Sequence, residues 1–110
     1  MQISARREDK ITIFDVSGDI DLANSPEVRK TLLREIREIR TPRVVMNMSK
    51  VRYIDSSGVA SLVEGLKASR DLGLRFILFG LSGSAREVLQ LSRLLKIFEV
   101  YDDEEHAVAP

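Results

Sequence analysis

Cysteine and tryptophan are absent from this 110-residue chain, and its only histidine is His106. Without cysteine, the chain offers no disulfide bond, no thiolate nucleophile and no Cys-based metal site. His106 follows the acidic segment 102–105 with no second histidine to share a metal, and the loop 80–84 lacks the lysine of a phosphate-binding P-loop. We therefore expect no metal site, no cofactor and no catalytic residue, and the sequence predicts a protein that is not an enzyme.

The chain also has no excess of positive or negative charge and no long apolar run. Lys and Arg together number 17, as do Asp and Glu, so the chain has no overall basic field that would attract nucleic acid. No apolar run approaches the ~18 residues of a membrane-spanning helix, and the first residues show no apolar region typical of a secretory signal. We expect a cytoplasmic protein with no nucleic-acid partner and no direct insertion into a membrane.

What the sequence does contain is a globular composition in which strand and helix patterns alternate. At 44% hydrophobic and 31% charged residues, the chain suits one compact domain spanning residues 1–110. After an opening hairpin, single strands alternate with single helices, which predicts an α/β fold with a mixed, mostly parallel sheet of about five strands and about four helices. The predicted strands lie within 1–17 (two strands around the turn 8–10), 43–48, 74–80 and 97–101, and the predicted helices begin near 25, 57, 84 and 102.

Capping residues predict where these helices begin. Ser25 is the expected N-cap of the first helix, because Pro26 follows it at a position that suits proline. Ser84 or Ser82 caps the third helix, and the sequence leaves both open. Asp102 is expected to begin the short last helix.

The segment Asp55-Ser56-Ser57-Gly58 joins the central strand to the second helix and places two hydroxyls behind a carboxylate. Such strand-to-helix turns lie on the sheet edge where ligands and partners bind, so we expect the turn to be exposed. A phosphate on Ser56 or Ser57 would add about −1.5 to −2 charges next to unpaired N–H groups that tolerate an anion. Serine is also a preferred N-cap, so the local pattern leaves open whether these serines act as a switch or simply cap the helix.

Three blocks of the chain resemble the STAS domain, specifically the anti-sigma-factor antagonists of the SpoIIAA type. The blocks are Val16 to Asp21, Val45 to Gly58 and Leu91 to Phe98, and the resemblance extends over nearly the whole length. In this family the second serine of the Asp-Ser-Ser-Gly motif is phosphorylated, which places that role on Ser57, with Ser56 as second choice. Asp21 matches a loop aspartate near the phosphorylation turn.

The resemblance implies a phosphorylation-controlled binding module. The unphosphorylated chain would sequester an anti-sigma factor that is also a serine kinase and itself binds the ATP, and a phosphatase is a further candidate partner. Two departures from the family are Val59-Ala60 after the motif and a last helix that ends early at Pro110. Regulatory subunits of lipid or anion transport systems, and sensory assemblies, also contain STAS domains and are the alternative. The implied partner-binding residues are Asp21, Asp55, Ser56, Ser57 and Gly58.

Overall fold

A computed structural model describes all residues, 1–110, as five strands and four α-helices. A single 3-10 turn at Leu95–Ile97 precedes the last strand. In chain order the elements are β1 (Gln2–Glu8), β2 (Ile11–Ser17), α1 (Ser25–Glu38), β3 (Arg43–Lys50), α2 (Ser56–Asp71), β4 (Arg75–Phe79), α3 (Gly83–Leu91), β5 (Glu99–Tyr101) and α4 (Glu104–Val108).

The strands form one sheet in the order β1-β2-β3-β4-β5. β1 and β2 pair antiparallel as a hairpin, whereas β2, β3, β4 and β5 run parallel to one another. The predicted α/β fold with a mixed, mostly parallel sheet is therefore confirmed. Buried residues of α1, α2 and α3 belong to one core cluster, so these three helices cover the same face of the sheet, as right-handed crossovers between neighbouring strands predict.

The larger core lies between that face and the three helices. Val44, Met46 and Met48 of β3 point into it, as expected for alternate residues of one strand. The intervening Val45 points to the opposite face, where Ala107 of α4 covers a smaller apolar cluster. β3 is thus buried on both sides, which explains its continuous apolar sequence.

At the start of α1 the predicted helix cap differs from the structure, whereas at α3 one of the two predicted caps is observed. Ser25 is not an N-cap: α1 begins at Ser25, and Asn24 precedes it without a side-chain capping bond. A preceding turn supplies the acceptor instead, because the N–H of Ser25 donates to the Asp21 carbonyl at 2.8 Å. For α3 both Ser82 and Ser84 were open, and the structure shows Ser82 as the cap, since its hydroxyl accepts from the N–H of Ala85 at 3.0 Å.

The C-terminal elements begin later than predicted. The 3-10 turn takes up the residues before Phe98, so β5 contains only residues 99–101. Asp102 does not begin α4; Asp103 caps this helix by accepting from the N–H of His106 at 2.9 Å. No helix in the structure combines the length and the apolar character that crossing a membrane requires.

Candidate functional site

The loops that follow β2 and β3 are joined at the carboxyl edge of the sheet. The N–H of Ile20 donates to the Tyr53 carbonyl at 3.0 Å, and the N–H of Asp55 donates to the Ile20 carbonyl at 3.2 Å. Ile20 and Ile54 form a parallel bridge beyond the ends of the regular strands, and both side chains are buried. Loops 18–24 and 51–55 are thus paired, and we call them the platform under the start of α2.

Asp55 caps α2, so neither serine has the capping role that the local pattern left open. Its Oδ1 accepts from the backbone N–H groups of Ser57 and Gly58, both at 3.0 Å. Asp55 has an extended backbone and Ser56 is the first helical residue, so the serines occupy the first turn rather than the cap. Aspartate is as good a cap as serine, and here it precedes both hydroxyls by one and two positions.

The same carboxylate also orients Ser57 and holds the neighbouring loop. The Ser57 hydroxyl donates to Oδ1 of Asp55 at 2.6 Å, and the N–H of Leu22 donates to Oδ2 at 3.1 Å. Hydrogen bonds to the ionised form favour it, so the pKa of Asp55 lies below its usual value, chiefly because of the Ser57 hydroxyl and then the Gly58 N–H. Asp55 is therefore a carboxylate at neutral pH.

The two serines differ in their surroundings. Ser57 is half-buried with its hydroxyl fixed by Asp55, whereas Ser56 is exposed. Ser56 lies at the head of a groove of about 500 Å³ between α2 and α3, whose apolar lining includes Val59, Val63 and Leu94. Only Ser57 of the two is thus held in a defined orientation by a charged neighbour.

Gly58 allows α2 to approach the platform closely. A Cβ at this position would lie 2.6 Å from the Ile20 carbonyl oxygen and 2.6 Å from Cγ1 of Ile54. Real Cβ atoms do not approach backbone oxygens so closely, so only glycine fits without movement. Gly58 is buried, and the absence of a Cβ lets it position the turn.

Asp21 lies in the loop between β2 and α1, next to the residue that Asp55 binds. Its Oδ1 accepts from the N–H groups of Ala23 and Asn24, both at 3.1 Å, so its carboxylate stabilises its own turn. The structure therefore brings Asp55, Ser56, Ser57 and Gly58 into one turn and places Asp21 in the adjoining loop.

Two residues of this region were missed by the sequence analysis. Ser61 is buried, and its hydroxyl lies 3.2 Å from the carbonyls of Ser25 and Ser57, linking α2 to the start of α1. Ser61 follows Ser57 by four residues on a helix, and this spacing could have indicated that the two residues lie next to each other. Leu22 is 76% exposed, and its position in the loop between two acidic residues and Asn24 could have drawn attention to it.

His106 is exposed and distant in sequence from this turn, and its Nδ1 lies 2.7 Å from Oδ1 of Asp103. This contact raises the pKa of His106, since an adjacent carboxylate favours the charged imidazole. The structure contains no group of three or more His, Cys, Asp or Glu side chains arranged to hold a metal ion.

Fold and turn together define the class of this protein: the chain belongs to the STAS domain family, whose model matches residues 2–107. A relative, the anti-sigma-B factor antagonist of Listeria monocytogenes, is 31% identical over 101 residues, which cover 91% of this chain and 86% of the relative. The suspected family is therefore confirmed.

Solved structures share the fold at lower identity. The phosphorylated form of the Bacillus cell fate determinant SpoIIAA is similar with a TM-score of 0.75 and 20% identity, covering 96% of this chain and 94% of that chain. A sulfate transporter family protein from Wolinella succinogenes is similar with a TM-score of 0.81 and 19% identity, covering 93% of this chain and 84% of that chain. Because proteins of different function share this fold, function has to be argued from the site.

Proposed function

We propose that this chain is an anti-sigma-factor antagonist whose binding to its partner is controlled by phosphorylation of Ser57. The partner is an anti-sigma factor that is also a serine kinase and supplies the ATP. The observation that carries the proposal is the 2.6 Å hydrogen bond that orients the Ser57 hydroxyl at the exposed start of α2. The relative from Listeria monocytogenes, named as an anti-sigma-B factor antagonist, supports the same function.

The geometry explains how a phosphate on Ser57 would act as a switch. A phosphate adds about −1.5 to −2 charges, and here it would stand beside the carboxylate of Asp55. The N–H groups of Ser57 and Gly58 already donate to Asp55, so they are not free to neutralise the phosphate. The new charge therefore faces the partner, where like-charge contacts and lost packing weaken binding.

The partner surface in this proposal is the carboxyl edge of the sheet. Asp55, Ser56 and Ser57 form its centre, Gly58 supports it from below, and Asp21 belongs to the adjoining loop. We also propose that residues 1–110 form one STAS domain and that the protein is cytoplasmic. A phosphatase restores the unphosphorylated chain. The protein acts by binding, and the chemical step belongs to the kinase.

Calorimetric titration with the recombinant serine kinase that phosphorylates the wild-type chain in the presence of MgATP tests the switch. Ser57→Asp should weaken binding by at least ~1.4 kcal/mol, a tenfold loss, whereas Ser57→Ala should retain the wild-type affinity. Ser56→Asp is the matched control and should have the smaller effect. Equal affinities of Ser57→Asp and Ser57→Ala would contradict the proposal, as would recovery of a transporter subunit as the physiological partner.

A further inference from the structure

Leu22 is a large apolar side chain that the loop after β2 leaves in solvent. Its side chain is 76% exposed, although it lies between the turn-forming Asp21 and the polar end of the loop at Asn24. No packing within the chain accounts for a leucine here, since its side chain contributes little to the core. A single exposed leucine is common on protein surfaces, so the significance of Leu22 depends on how the loop holds it and on what lies beside it.

The loop holds Leu22 in a defined position. Asp21 closes a turn through hydrogen bonds to Ala23 and Asn24, and the Asn24 amide donates to the Asp19 carbonyl at 2.9 Å. The N–H of Leu22 itself donates to Asp55. An apolar side chain presented by an ordered loop loses little conformational freedom on binding, which favours affinity.

Leu22 and Ser57 are linked through one carboxylate. Oδ2 of Asp55 accepts from Leu22 at 3.1 Å, and Oδ1 accepts from the Ser57 hydroxyl at 2.6 Å. Because the two oxygens of a carboxylate are about 2 Å apart, the N–H of Leu22 lies within about 8 Å of the Ser57 hydroxyl. A phosphate on Ser57 would therefore lie about one screening length or less from the loop that presents Leu22.

A second exposed apolar side chain lies on the adjoining loop. Tyr53 is 46% exposed, and its carbonyl accepts the hydrogen bond from Ile20 that joins the two loops. Of the four large apolar side chains that the protein exposes, Leu22 and Tyr53 thus flank Asp55, whereas Ile39 and Leu91 lie at the C-terminal ends of α1 and α3.

We propose that Leu22, assisted by Tyr53, is the apolar anchor by which the serine kinase recognises this chain, and that it determines affinity rather than the rate of phosphate transfer. The inference rests on the proposed function and names its recognition element. The kinase should offer an apolar pocket for Leu22, because Asp55 binds the N–H of Leu22 and also orients the Ser57 hydroxyl, so the leucine lies beside the group that the kinase must reach. Phosphorylation of Ser57 places negative charge beside this anchor and so opposes its burial.

Binding and phosphorylation kinetics of Leu22→Ala and Leu91→Ala, measured with the same recombinant kinase and MgATP, test the inference. Leu91 is the matched control, since it is 78% exposed and lies at the end of α3. Leu22→Ala should raise Kd at least ~tenfold, Tyr53→Ala should raise it by about threefold or more, and Leu91→Ala should stay within about twofold of the wild type. At saturating protein, kcat of Leu22→Ala should be unchanged, and its thermal midpoint should equal that of the wild type.

The outcomes separate this inference from the proposed function. If Ser57→Asp binds weakly but Leu22→Ala binds within about twofold of the wild type, the switch stands and the anchor is refuted. A Leu22→Ala protein with normal Kd and reduced kcat would also refute it, because the residue would then act in phosphate transfer. If Ser57→Asp binds as tightly as the wild type, the proposed function fails, and the inference that rests on it fails as well.

Discussion

Oδ1 of Asp55 lies 2.6 Å from the hydroxyl oxygen of Ser57 and 3.0 Å from the backbone nitrogen of the same residue. One carboxylate oxygen therefore caps α2 and orients the hydroxyl at the same time. Any change at the Ser57 side chain alters the electrostatic environment of Asp55, whose other oxygen holds Leu22. The hydrogen bond can therefore be tested by substituting Ser57 and by titrating Asp55.

Ser57→Ala should raise the pKa of Asp55, because the Ser57 hydroxyl is the main cause of its lowering. The carboxyl carbon of Asp55, followed by NMR during an acid titration, reports this pKa directly. Ser56→Ala is the control and should leave the Asp55 pKa as it is in the wild type. An unchanged Asp55 pKa in Ser57→Ala would mean that the hydrogen bond is absent in solution.

The same pKa predicts a pH dependence of stability. The folded-state pKa of Asp55 is below its unfolded value of 3.8. The pKa values of Asp15, beside Arg6, and of Glu99, beside Arg75, are lowered in the same way. The stabilisation from these groups is complete above the unfolded pKa values and is lost as the pH falls through the folded ones. Urea midpoints should therefore fall steeply on acidification below about pH 4. Ser57→Ala should show a shallower acid slope, and an identical slope would contradict the assignment.

Gly58→Ala should destabilise the protein by about 3 kcal/mol or more, because the new Cβ would contact the Ile20 carbonyl and Ile54. Gly83→Ala is the matched control: apart from its chain neighbours and its own helix backbone, no atom lies within 4 Å of a Cβ built at Gly83, which begins α3. That change should be neutral or stabilise by up to about 1 kcal/mol. Thermal or urea unfolding measures both, and equal effects of the two substitutions would refute the close packing of α2 on the platform.

Ser61 and Ser69, two buried serines of α2, should respond differently to substitution by alanine. The Ser61 hydroxyl has carbonyl acceptors in Ser25 and Ser57, so Ser61→Ala should cost about 1 kcal/mol of unfolding free energy. The Ser69 hydroxyl is buried without a hydrogen-bond partner, so Ser69→Ala should be neutral or stabilise by about 1 kcal/mol. A loss of similar size for both variants would show that Ser69 also has an acceptor.

The element order was predictable from the sequence because hydrophobic periodicity and turn residues record it directly. The alternation of strands and helices after the hairpin gave the correct α/β fold and sheet type. Helix caps were less predictable, since Ser, Asp and Asn are nearly equivalent at an N-cap and a neighbouring loop can supply the acceptor. Asp55 rather than a serine caps α2, and the Asp21 carbonyl serves the start of α1.

The composition of the site was predictable, but its connections were not. The residues of the turn are adjacent in sequence, so their proximity follows from the motif. The contact between Asp55 and Leu22 joins residues 33 positions apart, and the close approach of Gly58 to Ile20 depends on how the two loops pair. Such contacts arise from sheet register, which a local pattern does not contain.

Mass-spectrometric mapping of the phosphate, after incubation with the recombinant kinase and MgATP, tests the central claim most directly. The wild type and Ser56→Ala should each gain one phosphate at Ser57, because that hydroxyl is the one oriented by Asp55 at the exposed turn. Ser57→Ala should gain none. A phosphate found only on Ser56, or a Ser57→Ala protein that still accepts phosphate stoichiometrically, would contradict the account.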